Sequence, residues 1–127
     1  MGNGTSIGRV RGLGSAKEGT HHWWRQRLTA GSNLLLMLWF FFSMARLTGY
    51  DHATVYTWLR STWVSVPMIL LITSVFYHFR LGLQVVIEDY QHDQARVAAM
   101  ILLNLFTVAT AATAIFAILK VAFGAPA

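Results

Sequence analysis

Three stretches of this chain stay apolar for much longer than a soluble core helix requires. Residues 28–47 contain the unbroken run Leu34-Leu35-Leu36-Met37-Leu38-Trp39-Phe40-Phe41-Phe42. Residues 63–87 are most apolar between Pro67 and Phe79, and residues 97–123 form the third stretch. About 20 apolar residues, within a range of about 17–25, suffice to cross a bilayer as a helix. A lone strand cannot cross, because lipid offers its backbone no hydrogen-bond partners. The pattern therefore predicts an all-α membrane protein with three transmembrane helices at about 28–47, 63–87 and 97–123.

Residues 1–27 read differently. They hold six of the ten glycines and five of the ten Lys and Arg residues. The sequence predicts an extended, glycine-rich basic tail over 1–27 and a three-helix anchor over 28–127. The first apolar span is too long, and its basic lead too long and glycine-rich, for a secretory signal. Arg9, Arg11, Lys17, Arg25, Arg27 and Arg96 fall on one side of the membrane, and Arg46, Arg60 and Lys120 on the other. Basic residues favour the cytoplasmic side, so the N-terminus is expected in the cytoplasm and the C-terminus in the periplasm of a bacterial inner membrane. Trp23, Trp24, Trp58 and Trp63 then lie near the interfaces, where indoles settle.

Composition narrows the function classes. The 127 residues are 55% hydrophobic and 12% charged, with mean hydropathy +0.48. That excludes disorder and argues against a soluble enzyme. A net charge of +5 is topological here, not a sign of nucleic-acid binding. With no cysteine, the chain holds no disulfide, thiolate zinc site or ordinary iron–sulfur cluster. No nucleotide loop or metalloprotease motif is present, so no catalytic residue is expected on this chain.

The chemistry-bearing residues concentrate on the second span. His78 lies inside it, where an ionisable group is costly and is a functional candidate by default. At ~100° per residue, Ser74, His78, Gly82, Val85 and Asp89 fall within about 40° of one stripe. Gly82, one turn from His78, leaves room for a flat macrocycle beside an imidazole that could ligate haem iron. The same histidine could equally hydrogen-bond a neighbouring helix. No other histidine is expected within a span, so a bis-imidazole haem would take its second ligand from another chain. Asp89 and Tyr90 come about 16–18 Å further along the axis, at the cytoplasmic interface. A phenol that can donate to a carbonyl, beside an acid, suits a membrane-dissolved quinone; an interfacial anchor with a helix-end carboxylate fits the same residues. Arg80, about 200° from His78, is expected to pair within the bundle or to snorkel. Arg27 suits a haem propionate or a phospholipid, His21-His22-Trp23-Trp24 an interfacial belt, and His92 a solvated loop. Asn104, Thr107, Ala111 and Ala114 share one face of the third span, marking helix contact or a ligand or water path.

Two motifs then resemble a known family. His78-Phe79-Arg80-Leu81-Gly82, followed by Asp89-Tyr90, looks like the second span of the D membrane-anchor subunits of succinate dehydrogenase, respiratory complex II. Gly19-Thr20-His21, followed by Arg27-Leu28-Thr29-Ala30, resembles that family's approach to span one. The resemblance covers residues 19–123 and leaves 1–18 without a counterpart. It implies that His78 is an axial ligand of haem b, with the other ligand on a cytochrome b-type C anchor subunit; Ser74 and Gly82, on the His78 stripe, are then expected to pack near the haem. It implies that Tyr90, with Asp89 beside it, binds ubiquinone, and that His21 and Arg27 lie near the quinone and haem edge. Arg80 is not part of the motif. The implied partners are the C anchor, an iron–sulfur subunit, a flavoprotein subunit and the lipid bilayer. The implied activity passes electrons from succinate to quinone, linking the tricarboxylic acid cycle to respiration. A fumarate reductase anchor and a non-redox membrane assembly or interaction protein are the alternatives.

Overall fold

The computed structural model describes residues 6–7 and 18–124. Apart from residues 6–7, the expected tail up to residue 17 lies outside the described residues. Four helices follow: α1, Glu18–Ala45; α2, His52–Arg60; α3, Thr62–Tyr90; and α4, Asp93–Phe123. Helices α1, α3 and α4 are long and apolar enough to cross a membrane. At ~1.5 Å per residue, their 28, 29 and 31 residues exceed a ~30 Å hydrocarbon core and carry both ends of each into the interfaces.

Two elements differ from the sequence expectation. Helix α1 starts at Glu18, so residues 18–27, expected in an extended tail, form its first turns. The cause is tertiary: this stretch places polar side chains on the face that meets α3, and that packing supports helix where Gly19 and Gly31 do not favour it. Within the expected first loop, residues 52–60 form α2. Asp51 caps it, accepting from Thr54 N at 3.1 Å and from the Thr54 hydroxyl at 2.7 Å. Trp58 ties α2 to α1: its indole nitrogen donates to Ser43 Oγ at 2.9 Å, and its ring lies 6.3 Å from that of Phe40. His52, expected in a loop, opens α2 and stacks on Tyr56.

Ser61 alone, in extended conformation, links α2 to α3. Gln91 and His92 link α3 to α4, and Asp93 starts α4 at φ 52°, a left-handed conformation that aspartate tolerates better than most residues.

Helix α3 packs against α1 on one side and α4 on the other, and α2 caps α3 and α4 at one end. Among the described residues α1 and α4 make no close backbone contact, so the spans form an open layer with α3 in the middle. The core is a thin seam along α3 and α4. Leu81, 2% exposed, is its most buried member, joined by Leu71, Leu103 and Ile118. On α4 the expected small and polar face turns inward: Thr107 is buried and Asn104, Ala111 and Ala114 are half-buried. The Thr107 hydroxyl is satisfied by the Leu103 carbonyl at 2.7 Å. Outward surfaces stay apolar: Leu34, Leu35, Phe41 and Phe42 of α1 and Val108 and Phe116 of α4 are exposed.

The Asp51 cap gives a pH-dependent test of α2, which lies outside the spans. Hydrogen bonds from Thr54 hold the Asp51 carboxyl below its ordinary value. A depressed carboxylate stabilises the fold above its unfolded pKa, and that contribution is lost as pH falls through the folded value. Protection of the Thr54 amide, its exchange rate relative to that of an unstructured peptide at the same pH, is therefore expected to fall below about pH 4. In Asp51→Ala that protection should already be low at neutral pH, with no further acid step.

Candidate functional site

The site lies between α1 and α3. The Ser74, His78, Gly82 and Val85 stripe faces α1, as the helical spacing predicts. Ser74 Oγ reaches the Thr29 carbonyl at 3.5 Å. His78 Nδ1 lies 2.9 Å from Thr29 Oγ1, and its Nε2 lies 3.5 Å from Gln26 Nε2. A Cβ added at Gly82 would stand 3.4 Å from the same Gln26 nitrogen. The room beside Gly82 thus borders the flexible Gln26 amide.

On α1, the facing stripe is His22, Gln26, Thr29 and Asn33, spaced 4, 3 and 4 residues. Toward the end of the pair that holds the α1 N-terminus and the α3 C-terminus, the two helices border an open-sided cleft of about 700 Å³. Gly19, His22, Trp23 and Gln26 of α1 line it, with Gly82, Gln84, Val85 and Glu88 of α3. Three buried polar atoms on the α1 stripe lack a hydrogen-bond partner: His22 Nε2, Gln26 Oε1 and Asn33 Oδ1. Native interiors satisfy almost all such atoms, so three on one helix face set this stripe apart from the rest of the chain. Among the described residues no three His, Asp or Glu side chains converge as a metal cage.

The sequence-predicted residues distribute unevenly around this cleft. His78, Gly82 and Ser74 meet on the α1–α3 face. His21 is exposed and does not line the cleft; its neighbour His22 does. Arg27 is exposed, with its guanidinium 4.7 Å from the centre of the Trp23 ring. Trp23 stands edge-on to Trp24. Asp89 and Tyr90 end α3 on the surface, Tyr90 being 77% exposed. Sequence reasoning missed Gln26, Thr29 and Asn33. The signal was present in their spacing, but a span started at Leu28 cuts the stripe in half.

Arg80 points the other way, as its angle predicts. Its Nε donates to Asn104 Oδ1 of α4 at 2.6 Å, and Nη1 reaches Gln84 Oε1 at 3.4 Å. Gln84 Nε2 in turn donates to Glu88 Oε1 at 2.8 Å. Arg80, Gln84 and Glu88, four residues apart, carry polarity from inside the span toward the cleft mouth. Asn104 is thus a partner for a half-buried cation as well as part of a packing face.

The family model for the succinate dehydrogenase/fumarate reductase transmembrane subunit matches residues 1–114. It reaches past residue 19, where the sequence motifs start, and stops short of residue 123. The succinate dehydrogenase hydrophobic membrane anchor subunit of Rickettsia bellii (strain RML369-C) is 33% identical over 113 residues, 88% of this chain and 90% of that protein. That of Paracoccus denitrificans is 30% identical over 116 residues, 91% and 90% of the two chains. The succinate dehydrogenase membrane anchor subunit of Reclinomonas americana is 31% identical over 96 residues, 72% and 80%. No solved structure matches the chain.

The Arg80–Asn104 bond is open to measurement. A hydrogen bond to a charged group contributes about 1.5–3 kcal/mol. Asn104→Leu is expected to destabilise the α3–α4 pair by about that amount in detergent unfolding. Arg80→Leu combined with Asn104→Leu should recover most of the loss, because no unpaired cation is then left in the span.

Proposed function

The chain belongs to the family of succinate dehydrogenase hydrophobic membrane anchor subunits, and from that premise we propose that it supplies half of a haem b site and part of a ubiquinone-reduction site. The observation that carries this reading is the placement of His78. It lies inside the α3 span, on the face that borders Gly82, the α1–α3 cleft and the unpaired His22 and Gln26 atoms. That donor set fits haem: an imidazole for iron, a glycine beside it, and polar atoms on one wall that lack partners within the chain. His78 would hold the iron, with a histidine of a cytochrome b-type anchor subunit as the other ligand. Haem bound there would supply a one-electron carrier inside the bilayer.

At the end of α3, Tyr90 donates its phenolic proton in a hydrogen bond to one ubiquinone carbonyl. Asp89, next to it at the interface, relays protons that quinone reduction consumes. The basic Arg25, Arg27 and Arg96 gather at this same end, which supports a cytoplasmic N-terminus and a periplasmic C-terminus. Iron–sulfur and flavoprotein subunits dock on that side and deliver the electrons of succinate. This chain anchors and positions; the bond-making groups of succinate oxidation are on other chains. The matched family's description includes fumarate reductases as well, and the quinone in the membrane would separate the two directions.

Two variants of the assembled complex test the reading. His78→Ala should alter the reduced b-haem band and its potential; an unchanged spectrum places the ligand elsewhere. Tyr90→Phe keeps the ring but deletes the donor. With a hydrogen bond worth about 0.5–1.5 kcal/mol and an unpaired acceptor costing somewhat more, succinate–quinone turnover should fall about tenfold or more. Succinate oxidation with a water-soluble acceptor should remain near wild type. Equal losses in both assays would make Tyr90 an assembly residue, and no loss would move the quinone elsewhere.

A further inference from the structure

The two ring nitrogens of His78 have different surroundings. Nδ1 is closed off by Thr29 Oγ1 at 2.9 Å, and Thr29 is buried, 9% exposed. No iron could approach through that nitrogen without driving the hydroxyl out of a packed helix interface. Nε2 faces the cleft-lining Gln26 amide at 3.5 Å, a long side chain that can turn aside.

The Thr29 hydroxyl has one proton and two nearby acceptors in its own helix, the Arg25 carbonyl at 2.8 Å and the Gln26 carbonyl at 3.1 Å. With that proton given to its own backbone, Oγ1 still has a lone pair for Nδ1–H. A neutral imidazole carries a single ring proton. Fixing it on Nδ1 leaves the Nε2 lone pair directed toward the cleft, which is the tautomer an iron ligand requires.

We propose that Thr29 is the positioning residue of the haem ligand: it accepts Nδ1–H from His78, selects Nε2 as the iron-binding nitrogen and holds the ring at its angle to the cleft. The inference rests on the reading of His78 as a haem ligand. Through the imidazole, Thr29 also sets the reduction potential. A hydrogen bond accepted from the remote nitrogen makes the ring a stronger donor and favours ferric over ferrous iron. Losing it therefore raises the potential.

The test is an optical redox titration of haem b in the assembled complex with Thr29 replaced by Ser, Val and Ala, with haem content measured in parallel. Valine matches threonine in shape but lacks the hydroxyl, and serine keeps the hydroxyl in a smaller side chain. Loss of a ligand's hydrogen-bonding partner weakens metal binding by about tenfold or more. A tenfold loss of ferric relative to ferrous affinity is a rise of ~59 mV for one electron. The potentials of Thr29→Val and Thr29→Ala are expected to rise by up to about that much, to the extent that the loss falls on the ferric form, and that of Thr29→Ser to stay near wild type. If the Val variant does not assemble, the Ser and Ala pair decides the same question. Potentials that follow side-chain size, with Ser and Ala shifted alike and Val unchanged, would overturn the proposal, as would no shift in any variant. His78→Ala separates the two levels: if it leaves the haem unchanged, the ligand reading and this inference fall together. If it perturbs the haem while the Thr29 series stays at the wild-type potential, only the role of Thr29 falls.

Discussion

A histidine and an arginine two residues apart on one helix face nearly opposite ways, and in lipid neither can be left unpaired. That constraint sets the order of the layer. His78 meets Thr29 and Gln26 of α1, and Arg80 meets Asn104 of α4. Helix α3 can satisfy both only by lying between the other two spans. Lipid supplies no hydrophobic drive to bring the spans together, so packing and polar contacts carry the association. The two seams differ accordingly: the α3–α4 seam is close-packed around Leu81, Leu103 and Thr107, and the α1–α3 seam is polar and opens into a cleft.

An open layer of three helices leaves surfaces that the chain does not cover. Only 6% of the most apolar stretch of α1 is buried within the chain. Apolar side chains facing lipid need no partner, but unpaired polar atoms inside a span do. His22, Gln26 and Asn33 supply such atoms on the stripe that also meets His78. The unpaired polar atoms and the candidate site therefore lie on the same helix face.

Much of this was readable from the sequence, because lipid makes sequence signals strong. Twenty apolar residues have one stable way to cross, so the three spans followed from length alone. The His78 stripe and the opposed direction of Arg80 followed from 100° geometry. What sequence reasoning missed had physical causes. The polar residues ahead of Leu28 read as tail, since hydropathy cannot tell a helix turn that buries polar groups against a neighbour from one that is solvated. Helix α2 is short and amphipathic, and its signals, the Asp51 cap and the Trp58 anchor, act through Thr54 and Ser43 rather than through apolar length. The choice of His22 over His21 at the cleft depends on the rotation of α1, which only its packing on α3 determines.

Under the proposed function, the chain's contribution to redox chemistry is one of placement along a single helix. From His78, α3 runs through Gly82 and the cleft to Asp89 and Tyr90, about 16–18 Å away at the interface. A rigid helix keeps that spacing constant, and its two flanking contacts prevent it from rotating. If α3 turned about its axis, Arg80 would lose Asn104 and His78 would lose Thr29 together. The same pairing that keeps polar groups satisfied in lipid thus fixes the direction in which His78 presents Nε2. Stability and site geometry here rest on one set of contacts, so a substitution that frees either polar group would be felt at both.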